Sequence, residues 1–171
     1  MPAWSPMRHQ LFESIAKFPG VRLKVFFEKE KILPWASWSP VSNTTYEWDI
    51  IDSYHPLFLK RFRLIPYRLP GSIRNFKPDV VIVVCLTQAV FALPALRGRN
   101  YKVILWTGES EHILARRFAP KVLKLIRRAM YPLLDGFGCY SKATMVFLNQ
   151  AFGAPTFKLF QIPQSPMDQF G

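Results

Sequence analysis

The stretch Val80-Val81-Ile82-Val83-Val84 is the first of four short apolar runs that each suit one buried strand. The later runs are Lys102–Trp106, Gly136–Tyr140 and Lys158–Ile162. Segments that suit helices separate them, and this alternation predicts an α/β fold with a mostly parallel sheet flanked by helices. Sheets of this kind bind ligands beyond the carboxyl ends of their strands. The residues that directly follow each run are therefore the first candidates for a functional site.

Segments on either side of these runs extend the same pattern. Val21–Phe27 alternates apolar and basic residues, which is typical of a strand near a sheet edge, and Tyr46–Ile51 suits another strand. Helical spacing of apolar residues predicts a first helix at Ser5–Phe18, closed by Pro19-Gly20. Further helices are predicted at Pro66–Phe76, Gln88–Leu96, Pro120–Tyr131 and Lys142–Phe152, the last capped by Ser141 and closed by Gly153.

Length and composition limit the classes of protein that this chain can be. Its 171 residues suit one domain, 1–171, and its 50% hydrophobic content is enough to form a core. The 23 Lys and Arg residues exceed the 11 Asp and Glu residues by 12, which favours anionic partners such as a membrane surface, a phosphorylated substrate or nucleic acid. A solvated basic surface without a partner is the alternative.

Cysteine and histidine residues give no sign of a metal site or a disulfide framework. Cys85 and Cys139 both lie at ends of predicted strands, and the histidines show no ligand spacing. No phosphate loop, dinucleotide glycine fingerprint or nucleophile elbow is present, so we predict no cofactor and no metal. The amino terminus does not resemble a secretory signal, and the apolar stretch from Val80 to Leu96 is too short for a spanning helix, so a cytoplasmic location is expected.

The predicted helix at Pro120–Tyr131 carries most of a basic cluster. Lys121, Lys124 and Arg128 share one side of it, Arg117 precedes it, and no acidic residue occurs from His112 through Leu134. Its apolar residues Val122, Leu125, Ile126 and Ala129 lie beside the basic side, as in helices that bind anionic membrane surfaces. Alternatively, the apolar side packs on the sheet and the basic side faces water. Nucleic-acid binding is disfavoured because no binding motif or base-stacking platform accompanies the charge.

Polar residues follow two of the apolar runs directly. Thr107-Gly108-Glu109-Ser110-Glu111-His112 combines acids, a hydroxyl and an imidazole that could bind or deprotonate a substrate hydroxyl, with a glycine that permits close approach of the backbone. Ser141-Lys142 begins a helix, where backbone N–H groups can hold an anion. Capping of the following helices is the alternative function of these residues.

Several segments, taken in order, resemble the amino-terminal domain of family 4-like glycosyltransferases of the GT-B type. The segments that carry this resemblance are Arg8–Phe12, Val25–Phe27, Tyr46–Ile50, Lys77–Ile82, Asp135–Ser141, Gly153–Pro155 and Ile162–Ser165. Together they span nearly the whole chain. The resemblance implies a Rossmann-like three-layer domain that holds the acceptor, while a second domain with the acidic donor-binding motif holds the sugar nucleotide.

The resemblance also implies roles for individual residues. Glu109 and His112 match a loop that often carries a catalytic acid or histidine near the acceptor, with Thr107, Gly108 and Ser110 beside them in substrate binding. Ser141, with Lys142 next to it, matches a serine that borders the cleft between the two domains. The first strand and the donor domain of the family have no counterpart here, so the chain alone is expected to be inactive. Many relatives work at the inner face of the membrane on lipid-linked acceptors. The resemblance therefore implies transfer of a hexose to a glycan or lipid-linked acceptor, and it is compatible with a peripheral location at the inner face of the cell membrane.

Overall fold

The computed structural model describes residues 6–28, 43–51, 68–84, 86–92, 100–108, 110 and 120–162. The chain divides into two compact units, Met1–Arg68 and Leu69–Gly171. Each unit contains a parallel sheet, and helices flank these sheets. The fold is therefore α/β, of the Rossmann-like three-layer class, and this prediction from the sequence is confirmed.

The first unit joins one helix to a pair of strands. Helix α1 spans Pro6–Ala16, strand β1 spans Lys24–Glu28 and strand β2 spans Glu47–Ile51. The two strands run parallel, with Lys24 opposite Glu47 and Glu28 opposite Ile51. Their apolar core consists of Phe12, Val25, Phe27 and Tyr46. The alternation seen in Val21–Phe27 thus places Val25 and Phe27 in this core.

Hydrogen bonds connect α1 to the turn before β2. The Glu13 carboxylate accepts hydrogen bonds from the Thr45 backbone N–H at 2.9 Å and from the Thr45 hydroxyl at 2.6 Å. These bonds favour the charged form and lower the pKa of Glu13. His9 Nδ1 lies 3.1 Å from the Tyr46 hydroxyl, and burial raises the pKa of Tyr46. The helix is thereby attached to β2 by polar as well as apolar contacts.

The second unit is built on a four-stranded parallel sheet in the order β3-β4-β5-β6. Its strands are β3 (Val80–Val83), β4 (Lys102–Thr107), β5 (Gly136–Cys139) and β6 (Leu159–Gln161). Its helices are α2 (Leu69–Phe76), α3 (Leu86–Ala92), α4 (Pro120–Met130) and α5 (Lys142–Phe152). Two 3₁₀ turns, Tyr131–Leu133 and Thr156–Lys158, lead into β5 and β6.

One face of this sheet forms the core of the second unit. Val83, Leu105, Phe137 and Leu159 are paired in register across the four strands, and all four are buried. Helix α3 packs on β3 and β4, and α5 packs on β5 and β6. On the opposite face of β3, Val80 and Ile82 are exposed.

Candidate functional site

The carboxyl ends of β4, β5 and β6 are held nearly level by backbone hydrogen bonds. Thr107 is the register partner of Cys139, and the Tyr140 N–H donates to the Thr107 carbonyl at 3.2 Å. The Ile162 N–H donates to the Cys139 carbonyl at 2.8 Å. Because neighbouring parallel strands end together, the residues after β4 and after β5 lie at one edge of the sheet.

Buried polar side chains are concentrated near this edge. Gln88, Thr107 and Thr144 are buried, and they belong to the segments that end or follow β3, β4 and β5. The Gln88 side-chain carbonyl accepts a hydrogen bond from the Val84 backbone N–H at 3.0 Å, which fixes the turn between β3 and α3. Hydroxyl and amide groups at the ends of strands can orient a polar ligand. No sequence signal pointed to Gln88.

Ser141 caps helix α5, as the alternative function of this residue predicted. Its backbone is extended, and its hydroxyl accepts a hydrogen bond from the Thr144 backbone N–H at 3.2 Å. The Thr144 hydroxyl lies 3.2 Å from the same oxygen, so the two side chains form a small network at the start of the helix. Lys142, the first residue of the helix, is exposed beside it. A cationic side chain and a hydroxyl are thus adjacent at the end of β5.

An aromatic ring fills the space in which a side chain at position 108 would lie. A Cβ on Gly108 would overlap Cδ2 of Tyr140 and lie 2.8 Å from its Cε2. Tyr140 also stacks edge-on against Trp106, with ring centroids 5.9 Å apart. The space that the sequence suggested for close approach of a ligand is therefore filled by Tyr140 in this structure. The Trp106 indole N–H is buried and has no hydrogen-bond partner among the described residues.

The structure brings several of the expected site residues to neighbouring strand ends. Thr107, Gly108 and Ser110 come from β4 and its exit, and Ser141 and Lys142 come from the exit of β5. Thr107 is buried, whereas Ser110 is partly exposed. Glu109 and His112, the expected catalytic pair, and Arg117 of the expected membrane surface lie outside the described residues.

Cys139 lies at the carboxyl end of β5 but is not suited to nucleophilic chemistry. It is fully buried, and burial raises the pKa of its thiol to about 11. A thiol with such a pKa is almost entirely protonated at neutral pH, and the protonated form is a poor nucleophile. Cys139 therefore behaves as the small apolar side chain that the sequence predicted. Cys85 lies outside the described residues.

Helix α4 has an orientation that the sequence did not specify. Val122, Leu125 and Ile126 are 56%, 68% and 40% exposed, whereas Arg127 is only 3% exposed. The alternative in which this apolar side packs on the sheet is therefore wrong. Lys121, Lys124 and Arg128 are exposed as well. The helix thus presents an apolar side and a basic side to its surroundings.

The charge of the second unit is strongly asymmetric in the part that the structure describes. Helices α2, α3, α4 and α5 contain no Asp or Glu. Among the described residues of this unit the acids are Asp79 and Asp135, which lie before β3 and β5. The Asp135 carboxylate accepts a hydrogen bond from the Val103 N–H at 2.8 Å and lies 3.7 Å from Lys102 Nζ. These two carboxylates therefore lie at the amino edge of the sheet, opposite the described residues of the candidate site.

Two further observations concern membrane crossing and metal binding. Within the described ranges, no helix has both the length and the apolar character needed to cross a bilayer. The same residues contain no group of three or more His, Cys, Asp or Glu side chains that could hold a metal ion.

Comparisons with models of known families, with curated protein sequences and with solved structures found no match to this chain.

Proposed function

We propose that this chain is the acceptor-side domain of a nucleotide-sugar-dependent glycosyltransferase that transfers a hexose to a glycan or lipid-linked acceptor. The observation that carries the proposal is that candidate residues of two adjacent strands meet at one edge of the sheet: Thr107 ends β4, Gly108 and Ser110 follow it, and Ser141 and Lys142 follow β5. Parallel sheets bind substrates at this edge. The ordered sequence segments described above support the same assignment.

The mechanism divides the reaction between two domains. This domain positions the acceptor hydroxyl, with Glu109 or His112 as the group that takes its proton, while Lys142 attracts the phosphate of a lipid-linked acceptor. A second domain binds the sugar nucleotide and stabilises the departing phosphate. Positioning of the acceptor in this domain and electrostatic stabilisation of the leaving group in the second domain together lower the activation barrier of sugar transfer.

Two measurements test this function. The chain alone, incubated with a labelled sugar nucleotide and a panel of oligosaccharides and polyprenyl-phosphate sugars, should show no transfer, and robust turnover would refute the division of labour. Saturation-transfer NMR with the same panel should nevertheless detect acceptor binding, and complete absence of binding would contradict the proposed acceptor site.

A matched pair of lysine variants locates that binding. K142Q changes the lysine at the carboxyl edge of the sheet, and K102Q changes an exposed lysine at the amino edge of the same sheet. Binding of a phosphate-linked acceptor should weaken several-fold in K142Q and stay unchanged in K102Q. Equal effects of the two variants would exclude a specific role for the carboxyl edge.

A second candidate function is membrane-surface binding without catalysis, and the orientation of α4 specifically favours it. An exposed apolar side bordered by Lys121, Lys124 and Arg128 is complementary to an anionic bilayer, which accepts apolar groups at its interface and attracts cations. A helix whose apolar side was covered by the sheet could bind a bilayer only through the charge of its basic residues. The two functions are compatible, because lipid-linked acceptors lie at a membrane surface.

Vesicle co-sedimentation tests this second function. Wild-type protein should sediment with vesicles of phosphatidylcholine and phosphatidylglycerol, and a K121E/K124E/R128E variant should not, since each basic residue near an anionic surface contributes about 1 kcal/mol. A K17E/R74E/K77E variant, which changes three exposed basic residues outside α4, serves as the control. If the α4 variant sediments like wild type, α4 is not the contact.

A further inference from the structure

The exposed apolar side of α4 continues beyond the end of the helix. Val122, Leu125, Ala129 and Leu133 follow one another at intervals of three, four and four residues. Such intervals keep side chains on one side of a helical segment. Ala129 is exposed, and Leu133, which lies in the first 3₁₀ turn, is 38% exposed. The apolar stripe therefore extends from α4 into the turn before β5.

Phe157 belongs to the second 3₁₀ turn, which is hydrogen-bonded to the residue that follows the first turn. The Lys158 ammonium donates a hydrogen bond to the carbonyl of Leu134, the residue directly after Leu133, at 2.8 Å. Phe157 immediately precedes Lys158 and is 84% exposed, the largest value among the big apolar side chains that the structure describes. An aromatic ring so exposed is unfavourable in water.

The charges around the stripe determine what can cover it. Lys121, Lys124 and Arg128 border its length, and neither α4 nor the two 3₁₀ turns contain Asp or Glu. A partner with an apolar interior and an anionic surface is complementary both to the apolar stripe and to the basic residues that border it. An anionic lipid bilayer has this structure.

We propose that Leu133 and Phe157 insert into an anionic bilayer together with α4, so that one membrane-binding surface extends from Val122 to Phe157. This inference rests on the membrane-surface function proposed above and adds the residues that anchor the domain. The basic residues attract the surface, and Phe157 enters the boundary between headgroups and acyl chains, where aromatic rings partition favourably.

Co-sedimentation with vesicles of phosphatidylcholine and phosphatidylglycerol at a 7:3 ratio provides the first test. F157S should bind about tenfold more weakly than wild type, because burial of a phenylalanine ring is lost. I82T is the matched control, since Ile82 is also exposed but lies on the sheet face opposite the buried row. Circular dichroism should show that both variants fold, because both side chains are exposed.

A direct measurement of insertion provides the second test. F157C in a C85S background is labelled with an environment-sensitive nitrobenzoxadiazole group, since the buried Cys139 is shielded from the reagent. Its emission should shift to the blue when the anionic vesicles are added. The same label at I82C should not shift.

The outcomes separate this inference from the function on which it rests. If wild type binds the vesicles and the α4 charge reversal abolishes binding, but F157S binds like wild type and the label at 157 does not shift, the proposed anchor is wrong and the membrane function stands. If wild type does not bind, both fail. If F157S instead abolishes self-association of the chain in the absence of lipid, the stripe is an interface between copies, and the lipid anchor is refuted.

Discussion

The ring of Tyr140 packs against Gly108, so that the residue after β5 contacts the residue after β4. A Cβ at position 108 would overlap Cδ2 of that ring. Only glycine fits at this position without a shift of Tyr140 or of the backbone. The glycine is thus explained by packing between two strand ends that carry the candidate site.

G108A should therefore lower the free energy of unfolding by about 1–3 kcal/mol, the usual cost of overpacking. G71A is the control, because a Cβ added to Gly71 in α2 would meet no atom within 4 Å, and it should be neutral or stabilise by about 0.5 kcal/mol. Urea denaturation measures both. In a Y140A background the cost of G108A should shrink, and an unchanged cost would show that Tyr140 is not its cause.

The orientation of α4 makes a prediction about stability that is independent of lipid. L125Q should change the free energy of unfolding by less than about 0.5 kcal/mol, because Leu125 is exposed. L148A, at a fully buried position of α5, should cost about 2–5 kcal/mol. Thermal and urea unfolding of the two variants provide the comparison. A large loss in L125Q would mean that the apolar side of α4 packs inside the protein.

The hydroxyl of Ser141 caps α5, and its replacement should show how much of its role is structural. S141A should cost about 1 kcal/mol, because the Thr144 N–H loses its acceptor. S141D can still accept this hydrogen bond and should retain most of the stability. Binding of an uncharged oligosaccharide acceptor to S141D, which remains capped, then tests the proposed role of the hydroxyl in the site, since the new carboxylate would repel a phosphate-linked acceptor. A stable S141A variant would contradict the capping role.

Acid should destabilise the contact between α1 and β2. The Thr45 N–H and hydroxyl lower the pKa of Glu13 below its ordinary 4.5, so its stabilising effect is full above that value and is lost as the pH falls below it. The glutamine side chain in E13Q cannot ionise, so the unfolding free energy of this variant should vary less between pH 5 and pH 3 than that of wild type. T45V keeps the N–H donor and should give an intermediate dependence. Parallel profiles for E13Q and wild type would refute this assignment.

Much of the fold could be predicted from local sequence signals. Runs of β-branched and apolar residues located β3 and β4 to within a residue or two, and the bounds of α5 were predicted correctly. Ser141 and Gly153 made this possible, because a capping hydroxyl and a glycine at φ 67° mark the two ends of the helix. Such signals act over a few residues, so they can be read without knowing the tertiary structure.

Features that depend on contacts between distant residues could not be predicted in the same way. The helical period of α4 separated its apolar side from its basic side, but it did not show that Arg127 is buried and Leu125 exposed. The sequence likewise suggested that Gly108 makes room for a ligand, whereas Tyr140, which directly follows the neighbouring strand β5, fills that room. In both cases the burial of a residue depends on which parts of the chain pack against each other in the folded protein. The periodicity of the sequence does not contain this information.

The mixed character of α4 has a practical consequence for cell fractionation. Concentrated salt reduces the range of electrostatic attraction to about 3 Å at 1 M and weakens the contribution of Lys121, Lys124 and Arg128. Salt does not weaken the hydrophobic contribution of Val122 and Leu125, because ions do not screen the transfer of apolar side chains out of water. If α4 binds a bilayer as proposed, a salt wash should therefore release only part of the protein from a membrane pellet, and a mild detergent should be needed to extract the remainder.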